Sequence, residues 1–154
     1  MFLLTVCRAL RSHDVRFALV GGYAVSLHGA TRGTLDVDII LPFEEIFFIR
    51  ANEALNSIGL TSRIPVSGRD VYLNREHYLN EKNMAAWGFI NGNNPGEVVD
   101  IVLTTDLNCT ETINIQFRGE NLPLVSRTAL IEMKKNSARP QDLSDVAALL
   151  RLTA

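Results

Sequence analysis

The chain has 154 residues, 47% of them hydrophobic and 21% charged, with a formal net charge of -2. That is the composition of a globular protein, and the length fits one domain, residues 1–154, whose core needs no disulfide or metal staple. There is no global basic excess to announce nucleic-acid binding and no apolar run near the ~20 residues of a membrane span; the Met1-Phe-Leu-Leu start lacks the basic region of a signal peptide.

Leu3, Val6, Cys7 and Leu10 recur at i, i+3, i+4 and i+7, which predicts an amphipathic helix over 2–12 with Arg8 and Arg11 outward. Cys7 and Cys109 show no metal-ligand spacing and read as reduced core or near-core thiols of a cytoplasmic protein. Val15 to Val20 is the first strand. Gly21-Gly22 breaks it, a short helix follows over 23–28, and Leu35 to Leu41 reads as a buried strand. Pro42 suits the first turn of a helix whose inner face carries Phe43, Ile46, Phe47, Ala51, Ala54, Leu55 and Ile58, ending at Gly59.

Residues 60–84 are less patterned: Leu60 to Ile64 and Val71 to Leu73 suit short strands or loop, and 74–83 a short helix. Ala85 to Ile90 and Glu97 to Leu103 form a hairpin about Asn91-Gly-Asn-Asn-Pro-Gly96, with Trp87 half-buried. Thr112 to Phe117 and Leu122 to Val125 are further strands. Ser126 caps a helix over 127–135, and the last helix starts near Pro140 with Leu143, Val146, Leu149 and Leu150 inward.

The chemistry concentrates in two places. In a strand, Asp36 and Asp38 point the same way, and two carboxylates among Leu, Val and Ile are costly unless a cation offsets them. Gly21 and Gly22, just before a helix, offer backbone N–H groups to a phosphate. Alone, the glycines read as a tight turn and the aspartates as a solvated strand edge. Together, in this order, with Arg32 and Thr34 between them, they suggest a metal-bound nucleotide. Asp100 is a third carboxylate inside an apolar run. Asp142 and Asp145 have capping-box-like spacing, and Lys134, Lys135 and Arg139 form a local basic cluster. Arg63, Arg69, Arg75 and Lys82 read as a solvated surface, or with Arg69 or Arg75 beside a triphosphate or an RNA backbone.

Gly-Gly-Tyr-Ala-Val-x-Leu-His-Gly-x-x-Arg-x-Thr-x-Asp-Val-Asp, with Asp100 on a later strand, resembles the nucleotidyltransferase superfamily with the DNA polymerase β-type core. More narrowly it resembles the branch around the AbiEii-type toxins, whose Lys…Asp-x-x-Asp motif is similar to Lys134 or Lys135 followed by Asp142 and Asp145. The resemblance implies an α/β (α+β) fold, a small mixed sheet with helices mainly on one face. It implies transfer of a nucleoside monophosphate from an NTP to an acceptor hydroxyl, with Mg²⁺ or Mn²⁺ held by Asp36, Asp38 and Asp100 as catalytic carboxylates. Gly21, Gly22, Arg32, Thr34 and Lys134 would face the nucleotide phosphates. The acceptor would be RNA, protein or a small molecule, in a toxin–antitoxin-like setting. A homodimer or partner protein is compatible with the short chain. Two alternatives stand beside this: a weakened or inactive binding module, and an antibiotic-modifying enzyme. The second glycine is often serine in the wider superfamily, so Gly22 supplies no hydroxyl.

Overall fold

The computed structural model describes residues 1–152. The elements in chain order are α1 (Phe2–Ser12), β1 (Ala18–Val20), α2 (Gly21–Leu27), β2 (Val37–Ile40), α3 (Glu45–Ser57), β3 (Leu60–Ser62), α4 (Gly68–Leu73), α5 (Arg75–Asn80), β4 (Ala86–Asn91), β5 (Asn94–Val102), β6 (Thr112–Phe117), β7 (Glu120–Val125), α6 (Arg127–Ser137) and α7 (Pro140–Leu150). The strands form one mixed sheet in the order β3-β4-β5-β2-β1-β7-β6. β2/β5 and β1/β7 are parallel, and the remaining pairs are antiparallel.

Strand alternation divides the sheet into two chemically different faces. Leu19, Ile39, Ile101, Phe89 and Trp87 share one face and are fully buried, in one core with Leu3, Leu10, Phe48 and Leu55 of α1 and α3. The opposite face carries Val20, Asp38, Asp100 and Gly88, which lie directly across from one another on four adjacent strands. The sheet register therefore makes the site: a slip by one residue would bury the aspartates.

Several local expectations shift. Pro42 lies outside α3, which begins at Glu45, so the buried stripe is Phe48, Ala51, Ala54 and Leu55, and Ile46 is exposed. Val71 to Leu73 is helical, because Ser67 and Asp70 form a capping box that starts α4. Trp87 is fully buried rather than half-buried; its indole N–H donates to Ser62 Oγ at 2.8 Å, which is what lets a polar ring sit in the core. Cys7 is buried, and burial pushes its thiol up to about 12. Cys109 is exposed in a short 3₁₀ turn, not near the core. Leu143 and Leu150 are exposed, and α7 instead turns Asp142 and Asp145 inward with Val146 and Leu149. Among the described residues no helix is long and apolar enough to cross a membrane.

Gly68 marks a close contact between α4 and α3. A Cβ there would sit 2.3 Å from the backbone oxygen of Phe48, in α3. Backbone cannot swing aside as a side chain does, so Gly68→Ala is expected to cost about 1–3 kcal/mol. Gly92→Ala, with nothing within 4 Å of the new methyl, should stay within about 0.5 kcal/mol of wild type in the same thermal melt.

Candidate active site

The site starts at the turn between β1 and α2. Gly21 has φ +66°, a conformation that disfavours any side chain. A Cβ on it would lie 2.0 Å from Asp38 Oδ2. The turn is therefore seated directly against the Asp38 carboxylate. A Cβ on Gly22 would lie 2.8 Å from Thr34 Oγ1. Thr34 thus packs on the first turn of α2, and its hydroxyl donates to the Asp36 carbonyl at 3.4 Å. Both glycines have a packing reason that operates without any ligand.

Asp38 and Asp100 are direct neighbours on parallel strands, which run ~4.8 Å apart. Asp36 comes just before β2 and is exposed, so it is an extension of the strand approach rather than a buried strand residue. Burial pushes the Asp38 carboxyl up to about 7, aided by the negative charges of Asp100 and Asp36 and opposed by Lys134 and Arg139. Burial and then Asp36 raise Asp100 as well, opposed by Arg63. A hard divalent cation suits such an all-oxygen, mutually repelling donor set. Among the described residues, no three His, Cys, Asp or Glu side chains are drawn together closely enough to form a ready-made metal cluster. The donor chemistry fits Mg²⁺, and the carboxylates would have to converge to ligate it.

An ion cluster whose Lys134 and Arg139 charges are felt at Asp38 joins α6, α7 and the loop before β2. Lys134 is 7% exposed, whereas Lys135 is fully on the surface, so the structure selects Lys134 from the two candidates. Its ammonium lies 2.9 Å from Asp145 Oδ2 and 3.6 Å from Asp142 Oδ1. Asp145 Oδ1 accepts from Arg32 Nε and Gln141 Nε2, both at 3.0 Å. Its Oδ2 is buried, accepts no well-aligned hydrogen bond, and has the Lys134 charge as its partner. Asp142 caps α7 by accepting from the Arg139 backbone N–H at 3.2 Å, and also takes Arg139 Nε at 2.8 Å. Burial alone would raise both carboxyls. For Asp142 the Arg139 contacts and Lys134 outweigh it; for Asp145, Lys134, Gln141 and Arg32 do, and both end below the usual range.

The sequence-predicted residues thus fall into two groups. Gly21, Asp38 and Asp100 lie side by side, with Gly22, Thr34 and Asp36 at the rim. Arg32 and Lys134 are engaged with Asp145, and the Lys134 charge is also felt at Asp38. Arg69 pairs with Glu45, and Arg75 lies over the Phe43 ring at 3.9 Å. The arginine that reaches the site is Arg63, whose stem crosses Gly88 beside Asp100. A glycine in the middle of an otherwise apolar strand is the sequence signal that points there, since it marks a close approach.

Several solved structures share this architecture. The lincosamide antibiotic adenylyltransferase LnuA, solved with lincomycin bound, superposes with a TM-score of 0.67 at 13% identity, over 99% of this chain and 96% of LnuA. ANT(2'')-Ia in complex with adenylyl-2''-tobramycin gives 0.64 at 11% identity, over 96% and 84%. An antigenic nucleotidyltransferase-like protein from Paracoccidioides brasiliensis gives 0.60 at 15% identity, over 99% and 76%. No sequence-family model matches the chain, and no curated protein sequence matches it.

Two stability experiments follow from the electrostatics. Asp38 has a raised folded value, so the stability it contributes is complete below about pH 4 and is lost as pH rises through about 7. Asp142 and Asp145 work in the opposite sense, stabilising above about pH 4 and losing that stability as pH falls through their lowered values. In EDTA, thermal stability should therefore decline between pH 5 and pH 8. Asp38→Asn should flatten the decline and be more stable than wild type at pH 8 by on the order of 1–3 kcal/mol. Equal slopes in the two proteins would contradict the burial argument. Separately, Lys134→Met removes the cation that Asp142 and Asp145 share, leaving each with one arginine, and is expected to cost about 1–3 kcal/mol in urea unfolding. Lys135→Met, on the surface, should stay within about 0.5 kcal/mol.

Proposed function

We propose that this chain, which has the nucleotidyltransferase fold, moves a nucleoside monophosphate from an NTP to an acceptor hydroxyl and releases pyrophosphate. The observation that carries the reading is the pairing of Asp38 and Asp100 across β2 and β5, directly beneath the bare Gly21 turn. Gly21 and Gly22 open α2, and the backbone N–H groups of its first turn are the donors a phosphate would use. The aspartates provide the oxygen donors beside it.

Asp36, Asp38 and Asp100 are the residues that would hold Mg²⁺. When bound, the ion supplies charge stabilisation at the transferring phosphoryl group and lowers the pKa of the attacking hydroxyl. The chain's own groups do the rest. Asp100, a stronger base than an ordinary aspartate because burial raises its carboxyl, accepts the proton of the acceptor hydroxyl. The acceptor oxygen then bonds to the α-phosphorus, the bond from that phosphorus to the β-phosphate bridge breaks, and the electron pair leaves with pyrophosphate. Lys134 and Arg139, whose charges act on Asp38, offset negative charge on the nucleotide side. Arg32 and Thr34 contribute by holding Asp145 and the first turn of α2 in place.

The acceptor we favour is a small molecule, and the site of action the cytoplasm, where NTP and Mg²⁺ are supplied. LnuA, an antibiotic adenylyltransferase, is matched over 96% of its length, so a fold of this extent accommodates a small acceptor in that protein. A second reading has one observation behind it. Because no three side chains form a ready-made metal cluster among the described residues, the chain also fits a nucleotide-binding or partner protein with a weakened site. An RNA or protein acceptor in a toxin-type role belongs with the transferase reading as a further class of substrate.

Pyrophosphate release from each of the four NTPs with Mg²⁺, over a panel of hydroxyl acceptors, separates these readings. Asp38→Asn and Asp100→Asn should each lower transfer at least ~100-fold, with no loss of thermal stability, and EDTA should abolish it. A variant that keeps the wild-type rate would overturn the assignment. Mg²⁺-dependent NTP binding without turnover would instead establish the binding-protein reading.

A further inference from the structure

Arg63 is the charged residue nearest Asp100 that the scheme above leaves unused. It follows β3 by one residue, and its backbone N–H donates to the Gly88 carbonyl at 2.9 Å. That bond carries the β3–β4 pairing to the level of the aspartates. Arg63, Gly88, Asp100 and Asp38 then form one row across four strands. A Cβ on Gly88 would lie 2.8 Å from Arg63 Cδ and 3.1 Å from Asp100 Oδ1. The arginine stem therefore lies across bare glycine backbone, beside the carboxylate. Any other residue at position 88 would stand between them.

The guanidinium at the end of this stem is exposed. Among the described residues no carboxylate lies within salt-bridge distance of it, and it donates no side-chain hydrogen bond to the protein. Arg69 and Arg75, the other arginines of the segment, are occupied by Glu45 and Phe43. The row has a direction as well. Gly21 follows directly on from β1, which pairs with the Asp38 side of β2, whereas Arg63 stands at the Asp100 end. The Gly21 turn is seated on the Asp38 carboxylate and the Arg63 stem lies beside Asp100, so the two flank the aspartate pair from opposite ends. A nucleotide whose phosphates meet Gly21 leaves Arg63 to whatever approaches Asp100 from the other side.

We propose that Arg63 is a specificity residue that recognises a phosphate on the acceptor, so that the acceptor is a phosphorylated alcohol rather than a polycationic amino-sugar. The proposal rests on the reading that Asp100 marks the acceptor side. A free guanidinium pairs with phosphate oxygens through parallel N–H donors and repels ammonium groups, which gives selection by both attraction and repulsion. Gly88 is the positioning residue that lets the stem lie flat.

The test uses the intact chain with Mg²⁺ and a non-hydrolysable NTP analogue, and follows the arginine Nε–H resonances by NMR while glycerol 3-phosphate or glycerol is added. Glycerol 3-phosphate should move the Arg63 resonance, and glycerol should not. Arg63→Gln should weaken glycerol 3-phosphate binding roughly tenfold, and Arg63→Lys should recover part of it. Gly88→Ala, which displaces the stem while keeping the arginine, should weaken binding in the same way. Equal binding to wild type and Arg63→Gln overturns the proposal, as does no response to glycerol 3-phosphate. An Arg63 resonance that follows the NTP analogue alone also overturns it, since the guanidinium would then be a triphosphate ligand. The Gly21 and Gly22 amides report nucleotide binding independently. If they never respond while Arg63 answers glycerol 3-phosphate, phosphate recognition stands and the transferase reading fails.

Discussion

Two carboxylates side by side on adjacent parallel strands, half-buried and without a counter-ion between them, are the constraint on which the rest of this molecule depends. Asp38 and Asp100 repel each other, and burial adds to the cost. The surroundings offset this without removing it. Lys134 and Arg139 act on Asp38 from one side, and Arg63 acts on Asp100 from the other. A cation held there would relieve the negative charge that remains. The sheet pays for a local conflict that a purely structural strand would avoid, which is the pattern expected where function overrides packing.

The glycines follow from the same constraint. Gly21 is bare because the Asp38 carboxylate occupies the place of its side chain, and Gly88 is bare because Arg63 and Asp100 do. Each glycine therefore sits where a charged side chain from another element must come close. This explains why two positions so far apart in sequence serve one site. It also links backbone to chemistry: the turn after β1 cannot change without moving Asp38, and β4 cannot change without moving Arg63.

The C-terminal helices serve the site indirectly. Lys134 on α6 holds Asp142 and Asp145 on α7, and Asp145 holds Arg32 in the loop before β2. That chain of ion pairs ties the last third of the sequence to the aspartate strand. LnuA and ANT(2'')-Ia share the fold at 11–13% identity. At such distance the shared property is the architecture.

Sequence pattern alone determined the helix at 2–12, the start of the last helix near Pro140, the strand at 112–117, the hairpin around residues 91–96, and the association of Gly21-Gly22 with Asp36, Asp38 and Asp100. These are local: periodicity and turn chemistry act over a few residues, and the aspartates stand out because charge inside an apolar run is anomalous wherever it occurs. What only the tertiary structure decided depends on register and rotation. It chose Lys134 over Lys135 and turned α7 so that Asp142 and Asp145, rather than Leu143 and Leu150, face inward. It kept Asp36 at the exposed rim, and it brought Arg63, not Arg69 or Arg75, to the site. An ion pair between helices or a stem lying across a neighbouring strand joins residues distant in the chain. No local preference encodes it, because its energy exists only once the partner element is in place.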